Sequence, residues 1–288
     1  MKLGMYTIEM KRPTTGELFA AIKNAGFSEV QFDFSSVCDE QLPFSFAPGL
    51  LEEIQRQAVQ NKIEIVAVNG TFNMIHPSKT VREDGYKRFA SIAEASRELN
   101  CNFITLCTGS RNTKSMWVWH EDNQEPEAWE DLLVSTDKVL EQAERYDLIL
   151  GIECEPNNCI NTPDLARKLL DTFKSPRLKI IMDIANLFQK GQARKENVRP
   201  IMDHAFELIG QDIYLAHGKD IKDGDDLNPT YAGNGIVDFE YFLEKLDQVG
   251  YTGGMLLHGI HDERYFADSV AYINDVISKH KTKIKKAP

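Results

Sequence analysis

Four short apolar runs in this chain each end on a group that can bind a metal ion or carry a proton. Glu153 closes LGIE, Asp183 closes KIIMD, His217 closes IYLAH and His258 closes GGMLLH. A carboxylate at the end of an apolar run is costly to bury unless a metal, an arginine or a backbone donor offsets its desolvation. Two carboxylates and two imidazoles make a mixed oxygen and nitrogen donor set. Such a set suits one divalent ion from the group Mn, Co, Mg, Fe and Zn. Glu155 lies two positions after Glu153, so a strand running through both would point them to one face. Crowding by Glu153 should raise the proton affinity of Glu155, as a base working near neutrality requires, while a metal's charge would oppose the rise.

Further candidates sit near the same places. Lys219 and His120 could polarise or orient substrate oxygens, and Asn69 and Asn186 could bind hydroxyls. Arg111 could bind hydroxyls or a phosphate, and His76 falls in a segment where substrate contacts are expected. None of these spacings is a local metal or nucleotide motif, so the chemistry depends on a fold that brings distant run ends together.

The arrangement of the runs supplies such a fold. They cover Leu3–Tyr6, Glu29–Phe34, Ile63–Asn69, Phe103–Thr108, Leu148–Glu153, Leu178–Asp183, Ile213–His217 and Gly254–His258. Most are too apolar for one face to be wet, as in parallel strands covered on both sides. Helix signals lie between them. Thr14 and Glu17 have capping-box spacing, Thr162-Pro163-Asp164 reads as N-cap, proline and first-turn acid, and Asp238 precedes an apolar pattern of helical period. Strict alternation of eight strands and helices predicts an α/β fold, a single-domain (β/α)8 TIM barrel over residues 1–288. A doubly wound open sheet is the alternative, but no GxGxxG follows the first run. In a barrel, ligand chemistry gathers at the C-terminal strand ends, where these residues fall.

Composition narrows the function. With 33 basic and 44 acidic residues the net charge is −11, a poor match to nucleic acid or an anionic membrane. The basic run 279–286 reads as a solvated helix end. Five cysteines without CxxC spacing suggest reduced thiols, and the interrupted apolar start lacks a signal-peptide core. A cytoplasmic protein is expected, acting on a small molecule, and homo-oligomerisation is compatible with the sequence.

Two connections are longer than a barrel needs. Residues 109–126 hold Trp117 and Trp119, two of the chain's three tryptophans, and Trp117 could stack on the apolar face of a sugar. Residues 218–237 contain Gly233-Asn234-Gly235, a weak phosphate-loop pattern for which a plain turn is the simpler reading.

The stretches VNGTFNMIHPS (68–78), LGIECEPNN (150–158), IIMDIANLF (180–188), YLAHGKD (214–220) and YAGNGIVDFEYFLEKLDQVGYTGG (231–254) resemble the xylose isomerase-like TIM-barrel superfamily of sugar isomerases and epimerases. The resemblance implies that Glu153, Asp183 and His217 occupy three metal positions. The fourth is usually a glutamate and here is His258. Xylose isomerases carry a lysine two residues beyond the glutamate ligand, where this chain has Glu155. The resemblance therefore implies a metal-dependent isomerase or epimerase of a small sugar, sugar phosphate or polyol ketone. Glu155 is the candidate replacement base in that reaction, with Glu153 beside it. A dehydratase-type lyase, a non-catalytic sugar-binding barrel and an apurinic endonuclease-like phosphodiesterase are the alternatives on the same scaffold.

Overall fold

Eight of the apolar runs form parallel strands that close on themselves. The computed structural model describes residues 1–286, with side chains described through Lys283. In chain order the strands are β1 (Leu3–Tyr6), β2 (Glu29–Phe32), β3 (Glu64–Asn69), β4 (Phe103–Leu106), β5 (Ile149–Glu153), β6 (Leu178–Asp183), β7 (Ile213–Ile221), β8 (Pro229–Tyr231) and β9 (Met255–Leu257). Neighbours pair in parallel from β1 through β7, then β7 with β9 and β9 with β1, so the ring has no free edge. Helices α1 (Thr15–Asn24), α2 (Leu50–Asn61), α3 (Lys79–Glu98), α4 (Pro126–Tyr146), α5 (Pro163–Phe173), α6 (Lys195–Ile209), α7 (Phe239–Gln248) and α8 (Phe266–Lys286) surround it. This is a single-domain (β/α)8 TIM barrel.

The three caps read from sequence are formed. Thr14 accepts from the Glu17 amide, Thr162 from that of Leu165 and Asp238 from that of Tyr241. Each satisfies an N–H that the first helical turn leaves open. The buried stripes of these helices join the main core between helices and sheet.

Inside the ring, Ala67, Phe103, Ile181, Leu215 and Leu256 from five strands pack as an apolar plug. Gly151 lies in the same layer because a Cβ there would collide with Phe103 and Ile181. Side chains alternate along a strand, so the residue two positions on points to the same interior. That step leads from Ala67 to Asn69, Phe103 to Thr105, Gly151 to Glu153, Ile181 to Asp183, Leu215 to His217 and Leu256 to His258. The polar layer thus rests directly on the apolar one.

Two elements depart from the sequence reading. β2 stops at Phe32, because Asp33 caps a short 3-10 turn over Phe34–Ser36 by accepting from the Ser35 amide. β7 runs past His217 to Ile221 and pairs antiparallel with β8, so part of the 218–237 connection is a hairpin. The cause is Asp220, a buried carboxylate that accepts from the amides of Ile221, Gly233, Gly235 and Val237. All five cysteines are free thiols. No helix among the described residues is long and apolar enough to cross a membrane.

Candidate active site

Three donors converge where β5, β6 and β7 end. One ligand atom each from Glu153, Asp183 and His217 lies within 4.8 Å of the others, and all three residues are buried. His217 Nδ1 stands 3.3 Å from Glu153 Oε1 and 3.8 Å from Asp183 Oδ2. Its other nitrogen, Nε2, lies 2.9 Å from Gln31 Oε1, while the Gln31 amide donates to Thr105 Oγ1. With Gln31 so oriented, Nε2 carries a hydrogen and Nδ1 faces the acids, free to hold a proton or a metal, as in metal-ligating histidines held by a partner behind the ring. Asp183 Oδ2 is buried and takes no directed hydrogen bond. A buried carboxylate oxygen without a directed hydrogen bond, a second carboxylate and an imidazole nitrogen fit a divalent ion, which these three residues could hold.

Charge balance in the protein itself points the same way. Burial would lower the His217 imidazole, but Glu153 and Asp183 reverse this and hold it up at about 9. The cluster therefore attracts a cation, either a proton on Nδ1 or a metal in its place. Lys219 adds a fixed positive charge. Its Nζ lies 2.6 Å from Asn186 Oδ1 and in ion-pair range of Asp183 Oδ2 at 3.1 Å. Asn186 in turn donates to Glu153 Oε1 at 2.8 Å, so it ties the lysine to the carboxylate ligand rather than reaching outward alone.

A cavity of about 310 Å3 opens above this cluster, and Glu153, Glu155, Asn69, Asn186, His217 and His258 reach its wall. Trp117 forms part of its rim and is half exposed. β5 ends at Glu153, so Glu155 shares the cavity from the following turn and not as the next strand residue on one face. Burial lifts the Glu155 carboxyl to about 7, with Lys219 pulling it down and Glu153 and Asp183 adding to the rise. Crowding by Glu153 is thus a lesser cause than desolvation. A larger hollow of about 660 Å3 lies at the N-terminal end of the barrel between Lys2, Glu29 and Tyr214. It contains none of the strand-end residues, so size alone does not mark the site.

Several expected contacts go elsewhere. His258 Nδ1 pairs with Glu9 Oε1 at 2.9 Å and stands outside the three-donor cluster, although its ring meets that of His217 edge-on. Arg111 is buried with its guanidinium on Asp131 at 2.7 Å and on the Ile75 carbonyl at 3.1 Å, away from the cavity. His76 and His120 use Nδ1 to accept from the Ser78 and Asp122 amides, and neither lines the cavity.

Other residues of the site were not singled out from sequence. Gln31 is a polar residue inside the short strand EVQF, and Glu9 follows the first strand. Asp33 Oδ2 accepts from Tyr6, Gln41 and Asn69 at 2.7–3.0 Å, fixing three cavity side chains at once. A polar side chain at the upper end of every early strand was the available signal.

Fold and site define a class. The chain belongs to the xylose isomerase-like TIM barrel family, whose model matches residues 19–276. Among solved structures it is similar to a D-tagatose 3-epimerase-like protein, at 20% identity and TM-score 0.79 over 99% of this chain and 100% of that one. It is also similar to 3-keto-D-glucoside 4-epimerase from E. coli, at 19% identity and TM-score 0.73 over 96% and 99% of the two chains. The zinc-bound IOLI protein aligns at 14% identity and TM-score 0.72 over 98% and 99%. At these identities the likeness is one of fold. No curated protein matches the chain.

Proposed function

We propose that this barrel is a divalent-metal-dependent isomerase or epimerase of a small sugar or related polyol ketone. The observation that carries the reading is the convergence of Glu153, Asp183 and His217 beneath a cavity that also receives Glu155. The named activities of the epimerases that share the fold support it. A divalent ion held by the three would act as a Lewis acid toward a carbonyl and its neighbouring hydroxyl.

The chain's own groups supply the rest. Glu155, lifted toward neutrality, removes the proton from the carbon beside the carbonyl. Asn69 and Asn186 offer amides for hydroxyls, and Trp117 offers an aromatic face for the C–H side of a sugar. Lys219 remains bound to Asp183 and Asn186, where it offsets negative charge beneath the reacting centre.

An unphosphorylated substrate fits best. Arg111 is committed to Asp131, and in the Gly233-Asn234-Gly235 turn both glycine amides donate to Asp220 and the Asn234 amide to the Tyr231 carbonyl. The carboxylate of Asp220 fills the place that a phosphate would take in such a turn.

Elemental analysis of the purified protein and of Glu153→Gln, Asp183→Asn and His217→Ala is the direct test. Stoichiometric divalent metal in the wild type and loss in each variant is expected, and full metal in all three variants rules out the ligand set. Glu155→Gln should keep the metal and lose deuterium exchange from solvent into a ketose. Undiminished exchange removes Glu155 as the base.

A further inference from the structure

We propose that a second cavity, between α4 and α5 on the far side of the 109–126 loop, is a binding site for a sugar unit. It is separate from the cavity above Glu153, Asp183 and His217. Binding there requires neither a metal nor turnover, so the site stands apart from the isomerase or epimerase reading.

The chain has three tryptophans, and the 109–126 loop divides two of them between two cavities. Trp117 lines the inner one. Trp119 lines an outer one of about 520 Å3 that also receives Trp129, and the two cavities share no lining residue. Trp129 stands near the start of α4 and Lys168 near the start of α5, helices that follow β4 and β5, so both cavities lie at the same end of the barrel. The outer volume falls within the roughly 300–1,000 Å3 that small-molecule sites occupy.

The polar groups around the outer cavity are uncommitted. Lys168 Nζ rests 4.0 Å from the centroid of the Trp129 ring, and among the described residues neither it nor Glu125 nor Glu130 enters an ion pair. Asn161 accepts from Gln189 through its backbone carbonyl, while its side-chain amide bonds no group among the described residues. Other charged groups near this end are paired. Arg82 and Arg111 meet Asp131, and Arg194 meets Asp223 and Asp225. Trp119 is exposed although large and apolar. An exposed aromatic grouped with unpaired donors and acceptors marks a binding surface.

The donor set selects the ligand. Two carboxylates disfavour a phosphate or another anion. Lys168 already sits on Trp129, where cation–π attraction would otherwise hold an organic cation. A neutral polyol meets neither obstacle, because hydroxyls donate to Glu125 and Glu130 and accept from Lys168 and the Asn161 amide. The C–H face of a sugar ring then covers the indole of Trp119.

The test uses the full nitrogen-15-labelled chain, as purified, and follows its three indole N–H signals, assigned with Trp117→Phe, Trp119→Phe and Trp129→Phe. The probes are D-glucose, D-fructose, maltose and cellobiose. At least one should shift the Trp119 and Trp129 signals saturably in the millimolar range. Trp119→Ala should weaken that binding at least about 10-fold, as removal of an aromatic anchor does. Lys168→Met keeps an unbranched chain over Trp129 and so reads the ammonium alone. It should weaken binding severalfold, as should Glu130→Gln, while an unmoved Trp117 signal in the free variants reports an intact fold.

The source of the sugar is read from the same spectra. A disaccharide that shifts all three indoles with one affinity spans both cavities, whereas a sugar that shifts Trp119 and Trp129 alone is a separate ligand. Shifts confined to Trp117, no shift with any of the four sugars, or unchanged affinity in Trp119→Ala overturn the proposal. Inorganic phosphate and putrescine should leave both outer signals in place, and a response to either at lower concentration than to any sugar overturns the ligand class. A chain that holds no metal and exchanges no proton with a ketose would sink the proposed reaction and leave these expectations unchanged.

Discussion

Gln31 Oε1 accepts from His217 Nε2 at 2.9 Å, from a strand three positions around the ring from β7. The contact crosses the inside of the barrel and decides which imidazole nitrogen faces Glu153 and Asp183. Gln31→Leu removes the acceptor and frees the ring. Affinity for a divalent ion should fall about 10- to 100-fold, the usual effect of losing a partner behind a metal-bound histidine. Isothermal titration with Mn2+ measures it, and unchanged affinity would show that Gln31 does not orient the ligand.

Arg111 and Arg82 share Asp131, each at 2.6–2.7 Å. Arg111→Met breaks one arm of a largely buried ion pair between the loop and α4. A stability loss of about 1–3 kcal/mol is expected, less than for a fully buried pair because Arg82 remains. KM for an uncharged ketose should stay within twofold. A large rise in KM at unchanged stability would return Arg111 to the substrate.

Asp220 receives four backbone amides from its own strand end and the 233–237 turn. Asp220→Ala strands these donors in a buried place, so unfolding in urea should show a loss of roughly 3–5 kcal/mol. A loss under 1 kcal/mol would mean that the hairpin re-forms its bonds with water.

Burial pushes the thiols of Cys101 and Cys159 up to about 11 each. An unfolded thiol titrates near pH 8.5, so the folded chain holds these protons longer than the unfolded one. The stability they contribute is intact below pH 8.5 and is lost as pH rises toward 11. Urea midpoints should decline over that window, and a Cys101→Ala, Cys159→Ala double variant should decline less. Parallel slopes for the two proteins would contradict the assignment.

Glu153, Asp183 and His217 were legible in the sequence because each ends an apolar run, and parallel strands convert that position into a place on one rim. The barrel followed from the same runs. His258 obeyed the same rule and reached the rim, but the carboxylate that claims its Nδ1 lies 249 positions earlier in the chain. Gln31 was hidden for a related reason: a neutral amide in a short strand carries no charge to signal its cost. For Arg111, His76 and His120, chain position gave the correct end of the barrel but not the direction of the side chain. Arg111 turned to Asp131, 20 residues on in α4, and the two histidines turned to amides two residues away. Side-chain direction in a loop depends on such nearby partners, which periodicity does not report.

Glu153, Asp183 and His217 stand on strands locked into a closed ring, whereas Trp117 rides on the connection between β4 and α4. On the proposed function, recognition and reactivity therefore belong to separately editable parts of one molecule. On that same reading, insertions, deletions or exchanges in 109–126 should retune which substrate is accepted while the inner cradle keeps its shape, and laboratory selection for new substrates should find its first gains there.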